Sequence, residues 1–183
     1  MRTISVSVLR YHELSKAAQE RARREYESLF GYAHADEALE TIRELAKHFG
    51  GTVTDFEIDW SGACSHSSMK FDMPDSDDMD ESEIERRLSL LGAFNPETLK
   101  GHGDCVLTGV CYDEDAIDGF RAAWMSGKRD LPALMQAAFY SLLAQCHSEH
   151  RAFYDDEEGE FREHCEANGY EFYESGKFYA RST

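Results

Sequence analysis

Cysteine and histidine are the side chains best suited to hold a metal or attack a substrate, and they gather toward the C-terminal end of this sequence. Cys146 and His150 stand four residues apart, so on a helix they share one face, which His147 nearly joins. His164 and Cys165 follow on a later element. Cys146, His150, His164 and Cys165 could in principle meet as a structural zinc site. Against that, residues 164 and 165 are neighbours and point in different directions on a helix, and no CxxC or HExxH occurs. Partly buried thiols and surface histidines are the plainer reading. No metal and no cofactor are expected.

Three further patterns fall short of a site. The acidic run over 72–85 lacks the glycine and the ligand spacing of an EF-hand loop. Cys64-Ser65-His66 brings a nucleophile type beside a base type, but sequence neighbours on a strand or turn rarely form a catalytic pair. Gly101-His102-Gly103-Asp104 is too short for a phosphate cradle and reads as a tight bend. None of these makes an enzyme.

What stands out instead is charge. Against 36 Asp and Glu stand 19 Lys and Arg in 183 residues, a formal net charge of −17. Such a chain repels nucleic acid and lipid headgroups, so neither direct nucleic-acid binding nor membrane association is expected. It attracts basic surfaces, of which the grooves that hold DNA or RNA are the commonest large examples. The carboxylates fall in blocks: 72–85, 113–118 and 155–160. Asp75, Asp77, Asp78, Asp80, Glu81 and Glu83 are the first candidates for contact with such a partner, with Asp155, Asp156, Glu157 and Glu158 second. If folding set the blocks on one face, they would imitate the charge row of a duplex, about one charge per 1.7 Å of axis. Aromatics at 12% and hydrophobics at 42% supply a core, so the charge does not mean disorder. Five scattered cysteines without an apolar leader suggest reduced thiols in the cytoplasm.

The elements that must carry these residues follow from periodicity. Ile4, Val6 and Val8 alternate as a strand. Ser15 then caps a helix with Leu14, Ala18, Ala22, Tyr26 and Leu29 as its apolar stripe, ended by Gly31. A second helix after Asp36 buries Leu39, Ile42, Leu45, Ala46 and Phe49, and stops at Gly50-Gly51. Val53, Phe56, Ile58 and Trp60 form a strand with one irregularity, and Met69-Lys70-Phe71 returns beside it. Ser82 and Glu85 have capping-box spacing for a short helix through Ile84, Leu88 and Leu91. Another strand is expected from Cys105 to Cys111. Asp113 or Asp115 then caps a helix burying Ile117, Phe120 and Trp124. Asp130 and Pro132 open the longest helix, and a shorter one spans 160–168. The tail, 170–179, turns back at Ser175-Gly176. The expected class is α+β, helices packed on a small, mostly antiparallel sheet, in one domain with a helical part from about 130.

Short stretches resemble a group of small phage and prophage proteins of mostly unassigned function. They are Tyr11-x-x-Leu14-Ser15-x-x-Ala18-x-x-x-Ala22, Asp55-Phe56 with Trp60-Ser61-Gly62, and Ala167-Asn168-Gly169-Tyr170-Glu171-Phe172 with Gly176. The group's Gly-Asp-Gly-Ala-Cys run is absent, with Gly103-Asp104-Cys105 as a partial echo. The resemblance implies a phage setting inside a bacterial host. By analogy with anti-CRISPR proteins, it implies a non-enzymatic inhibitor that occupies the basic nucleic-acid site of a host defence complex. A small metal- or Cys-dependent enzyme and a phage assembly protein are the alternatives.

Overall fold

A computed structural model of the chain describes residues 7–31, 34–59, 67–75, 79–91, 106–109, 112–155 and 159–179. Six α-helices and two antiparallel strand pairs stand among them, an α+β architecture as expected. In chain order these are β1 (Val8–Leu9), a 3-10 turn (Tyr11–Glu13), α1 (Lys16–Phe30), α2 (Ala35–His48), β2 (Thr52–Glu57), β3 (Ser68–Asp72), α3 (Glu81–Leu90), α4 (Tyr112–Met125), α5 (Leu131–Asp155), α6 (Glu160–Ala167) and β4 (Phe172–Tyr173). The chain divides into two compact units, Met1–Ala33 with Ser148–Thr183, and His34–His147. The division falls inside α5.

The first unit is built on aromatic rings. Ser15 Oγ accepts from the Ala18 amide at 3.3 Å and starts α1, as its position predicts. Ala18, Ala22 and Tyr26 are buried, but Leu29 is 59% exposed. The buried stripe ends at Tyr26; Phe30, also exposed, rests its ring 4.4 Å from that of Tyr26. Tyr11, fully inside, meets Phe161 and Phe172 edge-on at 5.1 and 6.0 Å, and its hydroxyl accepts from Arg23 at 2.7 Å. Of the expected opening strand, Ile4 and Val6 lie outside the described residues, and β1 pairs Val8 with Tyr173 and Leu9 with Phe172. The tail turns where expected: the Gly176 amide donates to the Tyr173 carbonyl, and a bridge joins Phe172 to Phe178. Gly176 has φ +88°, and a Cβ there would run into the Ala18 carbonyl. No other residue fits against α1 at that point.

In the second unit the buried face of α2, Leu39, Ile42, Leu45 and Ala46, matches the predicted stripe, and Phe49 stacks on Phe120 at 4.5 Å. Burying each such side chain contributes about 1.5–3 kcal/mol. Gly119 lets α4 lie close on α5, where a Cβ would meet the Ala137 carbonyl at 2.7 Å. The irregularity in β2 is a register shift between Val53 and Asp55. It explains the uneven spacing: Val53 faces Phe71 and Phe56 faces Met69, so one face of the ribbon stays apolar across the bulge. Asp130 Oδ2 accepts from the Ala133 amide at 3.0 Å and opens α5 with Pro132 in its first turn.

Two sequence expectations are corrected here. Of the strand expected between Cys105 and Cys111, the described residues 106–109 form a bend. Their amides are taken by a carboxylate rather than by a neighbouring strand. Asp113, fully buried in the first turn of α4, accepts through Oδ2 from the amides of Leu107 (2.7 Å), Thr108 (2.8 Å) and Gly109 (3.4 Å). Its Oδ1 accepts from the hydroxyls of Thr108 (2.7 Å) and Thr41 (3.0 Å). Asp113 therefore ties the bend to α4 and both to α2, and does not act as the helix cap. Asp113→Ala would leave several buried donors without an acceptor. We expect it to lower unfolding free energy by about 3 kcal/mol in urea titration, well beyond an average substitution.

Candidate functional site

The candidate site is the set of carboxylates, and the structure gives them unequal roles. Asp75, Asp80, Glu81 and Glu83 of the first block are described; Asp77 and Asp78 lie outside the described residues. Asp80, not Ser82, is the N-cap of α3. Its Oδ1 accepts from the Glu83 amide at 2.9 Å and from the Ser82 hydroxyl at 2.8 Å. A carboxylate is a stronger acceptor at a helix N-terminus than a hydroxyl, which is why the predicted Ser82–Glu85 box does not form. Those bonds hold the Asp80 pKa below the ordinary carboxylate value, the Glu83 amide first.

Glu83 is clamped by two guanidinium groups. Arg86 donates at 2.6 and 2.7 Å, and Arg87 at 2.7 Å. Arg86 first, then Arg87, pulls its pKa down to about 2. Arg87 also donates to the His48 carbonyl at 2.7 Å, while the His48 ring bonds the Arg87 carbonyl at 2.9 Å. Glu83 thus braces the arginine that joins α3 to the end of α2. Glu81 lies 3.2 Å from Arg129, whose guanidinium sits 4.1 Å above the Trp124 ring. Three of the six leading candidates are therefore engaged within the chain. Asp75 is exposed, as are Asp72 at the end of β3 and Glu85 on α3.

The later blocks divide in the same way. Asp113 is internal, Asp118 pairs with Arg121 at 2.5 Å, and Glu114 is exposed. Asp155 pairs with Arg151 at 3.2 Å, and Asp156, Glu157 and Glu158 lie outside the described residues. Glu160 and Glu163 are exposed one turn apart on α6.

One acidic surface escaped the block-by-block reading. On the ribbon, Asp55 is opposite Lys70, Glu57 opposite Ser68 and Asp72 opposite Thr52, all on the face away from Phe56 and Met69. Lys70 offsets one of these three exposed acids, through a 2.8 Å bond to Asp55 that lowers the Asp55 pKa. The signal was present in the sequence: Asp55, Glu57 and Asp59 alternate strictly with Phe56, Ile58 and Trp60.

Among the described residues no group of three or more His, Cys, Asp or Glu is placed to hold a metal. Cys146 and Cys165 are buried and outside any disulfide; Cys146 belongs to one compact unit, and His150, His164 and Cys165 to the other. Cys64, Ser65, His66 and residues 101–104 lie outside the described residues. The Tyr26 hydroxyl is 2.8 Å from His164 Nε2, but burial pushes the Tyr26 pKa up, away from use as a base. Burial, then Glu27, raises Tyr154 to about 12. No described helix is long and apolar enough to cross a membrane.

Comparison with protein-family models, with curated proteins and with solved structures gives no match for this chain.

The division of roles makes a direct test. Asp80→Ala and Glu83→Ala should each lower the midpoint of urea unfolding, because one uncaps α3 and the other releases Arg87. Glu85→Ala, on the same helix, should leave the midpoint where it is.

Proposed function

We propose that this protein is a non-enzymatic, phage-encoded inhibitor that acts inside a bacterial host. In this reading its acidic surface occupies the basic nucleic-acid-binding site of a defence complex, with a CRISPR effector as the specific target. The observation that carries it is the charge of −17, together with acids such as Glu57, Asp72, Asp75 and Glu85 that stand exposed. Lys and Arg that normally hold phosphates would pair with them. Association would be fast and would weaken as salt rises, since exposed charges are screened beyond about 8–10 Å at ordinary ionic strength. The resemblance to phage proteins supplies the setting. Asp77, Asp78 and residues 156–158 remain part of the proposed contact surface. Asp80 and Glu83 have structural work of their own.

The immobilised protein should retain a nucleic-acid-handling complex from host lysate, release it as salt rises, and lose it to added duplex DNA. A variant carrying Asp72→Lys, Asp75→Lys and Glu85→Lys should lose that capture with its urea midpoint unchanged. Undiminished capture by the variant, or a partner that DNA does not displace, would sink the mimicry reading.

A further inference from the structure

The β2–β3 ribbon leaves an edge for a third strand. Among the described residues β2 pairs with β3 on one side and with no strand on the other, and no further backbone hydrogen bond reaches Thr52–Glu57. An antiparallel strand with one partner turns every second N–H and C=O outward, where another chain can bond them. The strand is also reachable. Every residue of β2 is exposed except Val53, which is half-buried, and Phe56 keeps 44% of its surface in solvent.

The side chains along this edge fix what can be added. Asp55 and Glu57 stand two residues apart on one face, about 6.6 Å along the strand, and Phe56 stands between them on the other. The guanidinium of Arg43 lies 5.7 Å from the Phe56 ring centroid, so a cation already occupies the apolar face. An added strand would therefore need cations beside Asp55 and Glu57 and apolar side chains beside Phe56. Lys70 meets Asp55 from the β3 side, while Glu57 faces Ser68, which brings no charge. The β3 edge differs: its same face reads Ser68, Lys70 and Asp72, so a basic strand there would meet a like charge at its centre. Acids on an edge guard it against pairing with copies of itself, since two β2 strands would oppose carboxylate to carboxylate. A strand carrying Lys or Arg reverses the sign of that interaction.

We propose that the outer edge of β2 is a docking site for an extended protein segment in which Lys or Arg alternates with apolar residues, bound by strand addition. The segment pairs its backbone with β2, sets its cations against Asp55 and Glu57, and lays its apolar residues beside Phe56. Charge gives the choice of partner, and the backbone ladder gives the register. The proposal rests on the proposed function only in taking the partner to be basic; nothing in it requires a nucleic-acid site.

The test is a fluorescein-labelled peptide alternating Lys and Val, titrated into the protein at about 0.15 M salt, where exposed charges beyond about 8 Å are screened. Anisotropy should show saturable binding, and amide hydrogen exchange should show residues 53–58 gaining protection when the peptide is present. Glu57→Lys, a change at an exposed position, should weaken the peptide about tenfold with the urea midpoint unchanged. A peptide of the same composition with its lysines contiguous should bind about tenfold more weakly, because its charges cannot follow the pleat. Equal binding of the two peptides, or binding without protection at 53–58, would reduce the effect to charge attraction and overturn the proposal. So would the absence of binding. No lysate enters this measurement, so its failure leaves the mimicry reading standing, and failed capture from lysate leaves the β2 edge standing.

Discussion

Self-repulsion is the constraint under which this fold is arranged. A chain with 36 acidic against 19 basic side chains pushes against its own compaction, and every carboxylate placed usefully relieves part of that pressure. Asp113 shows the strongest use. Buried among three amides and two hydroxyls, it replaces the strand pairing that residues 106–109 would otherwise need. Asp80 satisfies the first turn of α3, and Glu83 and Glu81 draw arginines down onto His48 and Trp124. Basic residues are scarce, and Arg87 and Arg129 are used as fasteners between elements. The carboxylates left over form the outer surface.

The two units solve the packing problem by different means. In His34–His147 helices bury aliphatic stripes, and Gly119 shortens the distance between α4 and α5. In the unit made of both chain ends the paired strands have two residues each, and such strands cannot stabilise one another alone. Edge-to-face rings around Tyr11, Tyr26 and Phe161 take over that role. The imidazole of His164 sits among these rings, bonded to the Tyr26 hydroxyl.

Local patterns were the legible part of the sequence. The α2 stripe, the Ser15 cap, the Asp130–Pro132 start of α5 and the turn at Gly176 each depend on residues within one or two turns of each other. Even the bulge in β2 was visible, as the uneven step from Val53 to Phe56. What stayed hidden depends on distant partners. Nothing near Asp113 announces that Thr41 will meet it, and nothing in Val8–Leu9 announces Phe172–Tyr173. Leu29 and Phe30 are adjacent apolar residues, and only the rings of Tyr26 and Phe178 decide which of them joins the seam. For the candidate site, the sequence located the charge but could not separate acids that hold the fold from acids that face water. That difference lies in where Arg86, Arg87 and Arg129 reach.

Because one unit is assembled from Met1–Ala33 and Ser148–Thr183, its first half leaves the ribosome long before its second. At ~5–20 residues per second, the intervening stretch His34–His147 takes on the order of ten seconds to synthesise. Throughout that interval Ala18, Ala22 and Tyr26 have no Phe161 or Phe172 to cover them, while the intervening stretch emerges with its own core residues in hand. The order of birth therefore favours the inserted unit folding first and the aromatic unit closing last.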